Sequence, residues 1–438
     1  MNEKLNRLTS LIKYDMKPAL GVTEPAAIAF AVSKARSYTK GDIESAEIVL
    51  NSGIYKNAFT CGIPNSNEFG NLFAAALGLV AGNYEKGLEA LEDVKDEDND
   101  KAKKLIDENK IKIVLGDMSS NIYIKASVKT KTDTSEVIIK DYHTNIVSIK
   151  VNDDIIFNKE LNKKEDDEKQ KTENKSENIS SKEILDYTVN DILEYINNVS
   201  IEDISFIMEA HKMNIDLFYL SLESKRTDIA KKLLKMNNNT VFSDDEICTA
   251  RLLTAGAIEA RVLGLNKPAM SITGSGAHGI ICTMPLYALF KVNKLSDDIL
   301  LRSTALSFLI TMYIKEHSGR LSAFCGCGIA GGTGAACAVG YLKGADYKEI
   351  VHIINNMSAG ITGMICNGGN QGCVMKAIVA LDAGFRAVEL SLSGSYIFPI
   401  HGINAETPED TMRNMGLIAS EGMVETEKTI IKIMETKS

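Results

Sequence analysis

The chain has 438 residues, 45% of them hydrophobic and 24% charged, the balance of a globular protein able to build two or three cored domains. Its formal net charge is −9 and no stretch forms a basic stripe, which excludes a nucleic-acid binder of the usual electrostatic kind.

The polar start, Met1-Asn-Glu-Lys-Leu-Asn-Arg7, leads straight into helical spacing, so no signal peptide is expected. Residues 3–18 put Leu5, Leu8, Leu11 and Ile12 on one side of a helix. Gly21-Val-Thr-Glu-Pro25 breaks that helix, and Pro25 suits the first turn of a small-residue helix running to Arg36. Ala46 to Leu50 reads as a short strand. Asn51 to Asn57 follows as a polar loop at its end, where binding residues commonly sit. Leu72 to Ala81 has helical spacing. Residues 111–115, 122–126, 136–140 and 146–151 are β-branched and partly alternating, which predicts an antiparallel sheet.

From Asn158 to Asn178 the only large apolar residue is Leu161, amid Lys, Glu, Asp and Asn. Such a segment cannot bury enough surface to offset its ordering entropy. Residues 158–180 are therefore expected to form a charged flexible linker or insertion between a 1–157 domain and a 181–438 domain. Beyond it, helical spacing marks 184–197, 201–212, 227–236, 248–265, 297–317, 348–358, 374–391 and 411–435. The most apolar run, Ser303 to Ile314, is shorter than the roughly 20 residues a bilayer requires. The expected fold class is α+β: an N-terminal mixed α/β domain with a small antiparallel sheet, then an all-helical C-terminal domain. The expected protein is cytoplasmic, with a small-molecule partner and neither membrane nor nucleic acid; a homo-oligomer is left open.

Five of the eight cysteines fall between Cys325 and Cys373, with 12 of the 32 glycines. Without export these thiols read as reduced or metal-bound rather than as a disulfide framework. Thiolates on glycine turns suit a soft metal centre, an iron–sulfur centre in the first place, because glycine lets the backbone approach the ligand closely. The bland alternative, cysteine as a small buried apolar residue, suits Cys337 in its smooth apolar run. Cys325, Cys366 and Cys373 each adjoin a glycine turn. Gly274-Ser-Gly-Ala-His278-Gly lacks the spacing of a dinucleotide fingerprint and reads better as a helix start offering backbone N–H groups to an anion. No zincin, serine-hydrolase elbow or phosphate-loop pattern occurs. Lys56 is a candidate carboxylate contact, though one lysine does not carry a pyridoxal phosphate reading.

Five segments together, Gly21-x-Thr-Glu-Pro25, Tyr55-Lys-Asn57, Gly274-Ser-Gly-x-His-Gly279, Ser322-Ala-Phe-Cys-Gly-Cys-Gly-Ile-Ala330 and Gly363-Met-Ile-Cys366-x6-Cys373, resemble the L-cysteine desulfidase family. That family is related to the iron–sulfur L-serine dehydratases through a helical alpha-type domain. The resemblance implies conversion of L-cysteine to pyruvate, ammonia and sulfide with a [4Fe-4S] cluster held by three cysteines, leaving one open iron. By position the implied ligands are Cys325, Cys366 and Cys373, with Cys327 the alternative to Cys325. The implied catalytic candidates are Thr23, Glu24, Lys56 and His278; Asn51, Tyr55, Asn57 and Ser275 are the candidates for substrate binding. Two departures stand out. Val22 occupies the position where the family carries a cysteine thought to act as the base, and Ala277 stands where relatives often place Asn. An L-serine or related amino-acid dehydratase, or a non-catalytic descendant that binds the cluster or an amino acid, are the alternatives.

Overall fold

The computed structural model describes residues 3–119, 121–159, 179–319 and 321–437. It is an α+β protein. Helix α1 (Glu3–Asp15) turns its Leu5, Leu8, Leu11 and Ile12 side inward, as the spacing predicts. Strand β1 (Lys17–Leu20) follows, then α2 (Thr23–Arg36), β2 (Ile43–Leu50), α3 (Ser52–Ala58), α4 (Gly70–Val80) and α5 (Asp96–Asp107). The small residues of α2 let it lie close on α4, where a Cβ at Gly78 would come within 2.9 Å of the Ala29 backbone. Strands β3 (Ile111–Leu115), β4 (Tyr123–Thr130), β5 (Thr134–Lys140), β6 (Ile146–Val151) and β7 (Asp154–Asn158) complete a sheet ordered β3-β2-β4-β5-β6-β7. Ile48, Ile124, Ala126, Val137 and Ile139 are buried on its helix-covered face, while Lys125 and Glu136 pair on the other. That is the alternation of a sheet with one wet face.

Three expectations need correction here. The sheet is mixed, because β2 and β3 run parallel, joined through the three helices α3 to α5 rather than by a hairpin. Asn51–Asn57 is largely helical, since Asn51 only precedes the first turn of α3. The C-terminal region is not purely helical: β8 (Pro268–Ser271) pairs antiparallel with β1, Leu20 opposite Pro268 and Lys17 opposite Ser271. Four-residue strands carry too little alternation to be read from sequence, and this pair joins the two halves of the chain. Of the expected linker, residues 160–178 lie outside the described residues; on either side, β7 reaches Asn158 and Ser180 caps a short 3-10 turn.

The helical part contains α6 (Val189–Asn198), α7 (Met208–Glu223), α8 (Ile229–Met236), α9 (Glu246–Val262), α10 (Gly276–Val292), α11 (Asp297–Ser318), α12 (Gly332–Leu342), α13 (Tyr347–Ile361), α14 (Gly372–Leu392), α15 (Pro408–Leu417) and α16 (Val424–Glu435). The helix expected over 411–435 is broken by a π turn at Ile418–Gly422. α11 is buried along most of its length and packs against α12 and α15. α16 returns to dock on α3. Among the described residues no helix is long and apolar enough to cross a membrane.

Candidate functional site

Hydrogen bonds between two loops bring the cysteines together. The Cys325 N–H donates to Met364 O at 2.9 Å, and the Cys366 N–H donates to Ala323 O at 2.6 Å. The Cys325 and Cys366 segments therefore lie side by side as an isolated antiparallel bridge. Cys327 opens a π-helical turn, Cys327–Gly331, that feeds α12; such turns recur at functional sites. Cys373 lies in the first turn of α14. Glycine is demanded at two points. A Cβ at Gly326 would sit 2.7 Å from His278 Nε2, and Gly368, with φ +94°, lies where a Cβ would be 2.5 Å from the Lys56 carbonyl oxygen.

One cavity lies between the two parts of the chain. The N-terminal region contributes Val22, Glu24, Asn57 and His143; α9 and the turn before α10 contribute Arg261, Thr273 and Ser275. Ala277 and His278 of α10, Lys315 of α11, and the thiols of Cys327, Cys366 and Cys373 complete the wall. The two family departures, Val22 and Ala277, thus both face the cavity. His143 and Gly274 also line an adjoining surface groove, with the rest of the 140–145 turn and Ser271.

Cys325 stands behind this wall, 1% exposed, its sulfur 3.5 Å from that of Cys327. Within the pair the surroundings favour the thiolate at Cys327. The hydrogen bond from Cys325 holds it below the ordinary thiol range against the effect of burial, and the charges of Lys376 and Arg261 add to this. Cys325 is pushed up by the same bond and by burial. The Lys376 ammonium is disfavoured by burial, yet Cys366, Cys373, Cys325 and Cys327 together raise it. All eight cysteines are free thiols. Among the described residues no three His, Cys, Asp or Glu side chains stand close enough to share one metal ion.

Glu24 is buried at the start of α2 and held from two sides. Thr23 Oγ1 donates to its Oε2 at 3.0 Å, and Asn57 Nδ2 donates to its Oε1 at 2.9 Å. Asn57 Oδ1 in turn faces the Cys366 thiol at 3.7 Å. His143 Nε2 is 3.9 Å from Glu24 Oε1, both side chains 7% exposed. Sequence reading missed His143. It sits in the β5–β6 connection, far from every motif, and only the sheet carries it to the cavity. His278 bonds through Nδ1 to the Thr273 hydroxyl. Burial, then the charges of Lys315 and Arg261, hold His278 well below its ordinary pKa, so its imidazole is neutral. Thr273 has φ +52°, an outlier for a β-branched residue, and its N–H donates to the Asp15 carboxylate.

Of the expected site residues, the fold gathers Glu24, Asn57, Ser275, His278, Cys366 and Cys373 around the cavity, with Cys327 rather than Cys325 facing it. Thr23 stands behind Glu24. Three others are placed elsewhere. Asn51 is committed to the backbone, donating to Ser119 O at 2.8 Å and accepting from Tyr123 N at 3.0 Å. Tyr55 lines a separate apolar groove with Phe59, Ile430 and Met434. Lys56 is fully buried, its Nζ 2.6 Å from Glu427 Oε2 and 2.8 Å from Ser322 O. Its charge is thus neutralised inside the protein, away from the cavity wall.

A helical core whose glycine turns aim thiols into a cavity closed by an α+β region defines a thiol-lined small-molecule site. The chain belongs to the serine dehydratase alpha chain family, whose model matches residues 85–432. It is 41% identical over 434 residues to a UPF0597 protein of Clostridium botulinum, covering 98% of each chain. It is 36% identical over 437 residues to a UPF0597 protein of Caldanaerobacter subterraneus, covering 100% of each. A UPF0597 protein of Clostridioides difficile is 31% identical over 426 residues, 97% of this chain and 98% of the relative.

Proposed function

We propose that the protein is an iron–sulfur-dependent lyase that eliminates the β-substituent of a small amino acid, L-cysteine first, giving sulfide, pyruvate and ammonia. The observation carrying this reading is one cavity lined by three cysteines, Cys327, Cys366 and Cys373, together with a buried His143–Glu24 pair.

The donor set fits a [4Fe-4S] cluster. Its three thiols on one cavity wall are the soft donors that such a cluster takes. The Cys325 and Cys327 sulfurs, within hydrogen-bond reach at 3.5 Å, supply one corner between them. Cys327 is taken as that ligand because it lines the cavity and Cys325 stands behind it. This reverses the order of preference that the resemblance implies. Bound there with one iron lacking a protein ligand, the cluster supplies a Lewis acid for the departing β-heteroatom.

The chain's own residues supply the proton chemistry. His143 takes the α-proton of the substrate, and Glu24 stabilises the imidazolium that results. Thr23 and Asn57 keep the Glu24 carboxylate in place. Val22 cannot accept a proton, and His143 takes over the part that a cysteine there would play. His278 is neutral and fixed by Thr273, so it donates or accepts a hydrogen bond without adding charge. The α-proton and hydrosulfide leave as hydrogen sulfide; the aminoacrylate that remains takes up water to give pyruvate and ammonia.

L-Serine is the second reading, favoured by the family match to the serine dehydratase alpha chain. The test is anaerobic release of sulfide and pyruvate by cluster-reconstituted protein given L-cysteine or L-serine separately. Equimolar sulfide and pyruvate establish the desulfidase, and pyruvate from serine alone establishes the dehydratase. No product from either, with iron fully bound, leaves a non-catalytic binder.

A further inference from the structure

Arg261 belongs to no motif that the sequence offers. It lies near the C-terminal end of α9, 4% exposed, and lines the cavity. Its Nε is buried without a hydrogen-bond acceptor among the described residues. A buried cation without a counter-ion costs several kcal/mol, and buried Arg, Lys, Asp and Glu ordinarily come paired. The Arg261 charge is felt at the Cys327 thiol, but among the described residues no anion stands in hydrogen-bond contact with its Nε.

The place where an anion would sit is defined from a second side. Arg261 Nε lies 2.7 Å from where a Cβ of Gly276 would be, so the guanidinium lies directly against the first residue of α10. That helix is 17 residues long, and Ser275 caps it without a side-chain hydrogen bond. Its first-turn N–H groups, at Gly276, Ala277 and His278, carry the positive end of the helix dipole. Gly276 is needed because any side chain would collide with Arg261, and Ala277 leaves room in front of the amides. Lys315 adds a second cation to the same wall. Glu24, a carboxylate beside His143, lines the same cavity. The cavity thus carries both cationic and anionic side chains.

We propose that Arg261, with the first-turn amides of α10, is the carboxylate subsite of this cavity and selects substrates bearing an α-carboxylate with an adjacent ammonium. The guanidinium offers a planar fork matched to two carboxylate oxygens. Carboxylate held at Arg261 and ammonium directed toward Glu24 orient the Cα–H toward His143 and the β-carbon toward the thiols. The proposal takes its substrate from the lyase reading, but binding alone tests it.

The probe is L-alanine, which has the carboxylate and amine but no leaving group. Ethylamine, its counterpart without the carboxylate, is the control. Calorimetric titration of wild-type, Arg261→Gln and Arg261→Lys proteins is done anaerobically, with and without reconstituted cluster. The expected result is at least a tenfold weaker L-alanine affinity in Arg261→Gln, falling to that of ethylamine. Arg261→Lys should recover part of the loss. In turnover the same change should raise KM more than it lowers kcat. Unchanged L-alanine affinity in either variant overturns the proposal. Lost visible absorbance alongside unchanged affinity overturns it too, and makes the cluster the counter-ion of Arg261. Wild-type protein that does not discriminate L-alanine from ethylamine also overturns it. Arg261-dependent binding without turnover keeps the subsite and refutes the lyase.

Discussion

Two regions of this protein bury a cation, and they resolve the charge in opposite ways. In the seam where α16 docks on α3, Lys56 meets Glu427 at 2.6 Å and a backbone carbonyl at 2.8 Å. In the cavity, Arg261 meets no acceptor of its own at Nε. The seam is closed by the chain itself and serves folding, because it ties the C-terminal helix and the approach to the cysteine loop to the N-terminal region. In the cavity the protein leaves that acceptor open. A lysine inside a family motif is thus ion-paired within the protein, and an arginine outside every motif lines the cavity. Position in a motif says less about a charged side chain than whether the protein neutralises it.

That contrast predicts that changes in the cavity reduce loading or rate and leave folding intact, whereas changes in the seam do the reverse. The largest effect is expected from Cys327→Ala, which should abolish both visible absorbance and turnover after reconstitution. Cys325→Ala, removing only a hydrogen-bond donor, should keep the absorbance. The opposite pattern would restore Cys325 as the ligand. Next, His143→Gln should lower kcat by roughly 10²–10⁴-fold, the usual contribution of a general base, with iron content unchanged. A variant with full activity would remove His143 from the proton transfer.

In the seam, Lys56→Met leaves Glu427 buried and unpaired and should cost about 3–5 kcal/mol of stability. Denaturant unfolding of the variant measures this, and the Lys56→Met/Glu427→Met double variant should recover most of the loss. A stable Lys56→Met protein with lost turnover would move Lys56 back to the chemistry.

The smallest effect concerns pH. His211 is fully buried, with Nε2 2.8 Å from Thr304 Oγ1, and burial pushes its pKa down to about 3. Between that value and about 6.5 the unfolded chain takes up a proton that the folded protein refuses. Its contribution is therefore complete above pH 6.5 and declines as the pH falls, by about 1.4 kcal/mol per pH unit. Unfolding free energies measured from pH 7 down to 5 should fall less steeply in His211→Gln. An equal slope would place the acid sensitivity in other groups, His278 among them.

Much of the architecture was legible in the residues, because it follows from local periodicity. The α1 stripe, five of the six strands of the large sheet and most of the C-terminal helices fall where apolar spacing puts them. What escaped was the pairing. A parallel β2–β3 contact and the four-residue β1–β8 ladder depend on partners distant in sequence, which spacing along one segment does not reveal. The candidate site divides in the same way. Glu24, Asn57, Ser275, His278, Cys366 and Cys373 lie in or beside glycine-rich or polar segments and were found. Asn51, Tyr55 and Lys56 lie in the same kind of segment, but α3 turns them toward other neighbours.

By itself, the sequence determined that this is an α+β protein, and that glycine-bound thiols are concentrated in one part of it. Both are local properties, set by residue type and spacing. The tertiary structure alone decided which thiol of the Cys325–Cys327 pair faces the cavity, because one turn of π-helix points the second sulfur inward. It also brought His143 from a sheet connection and Arg261 from a helix end to the wall of one cavity. Catalytic and binding geometry is made of such long-range encounters, and these follow from how whole elements pack.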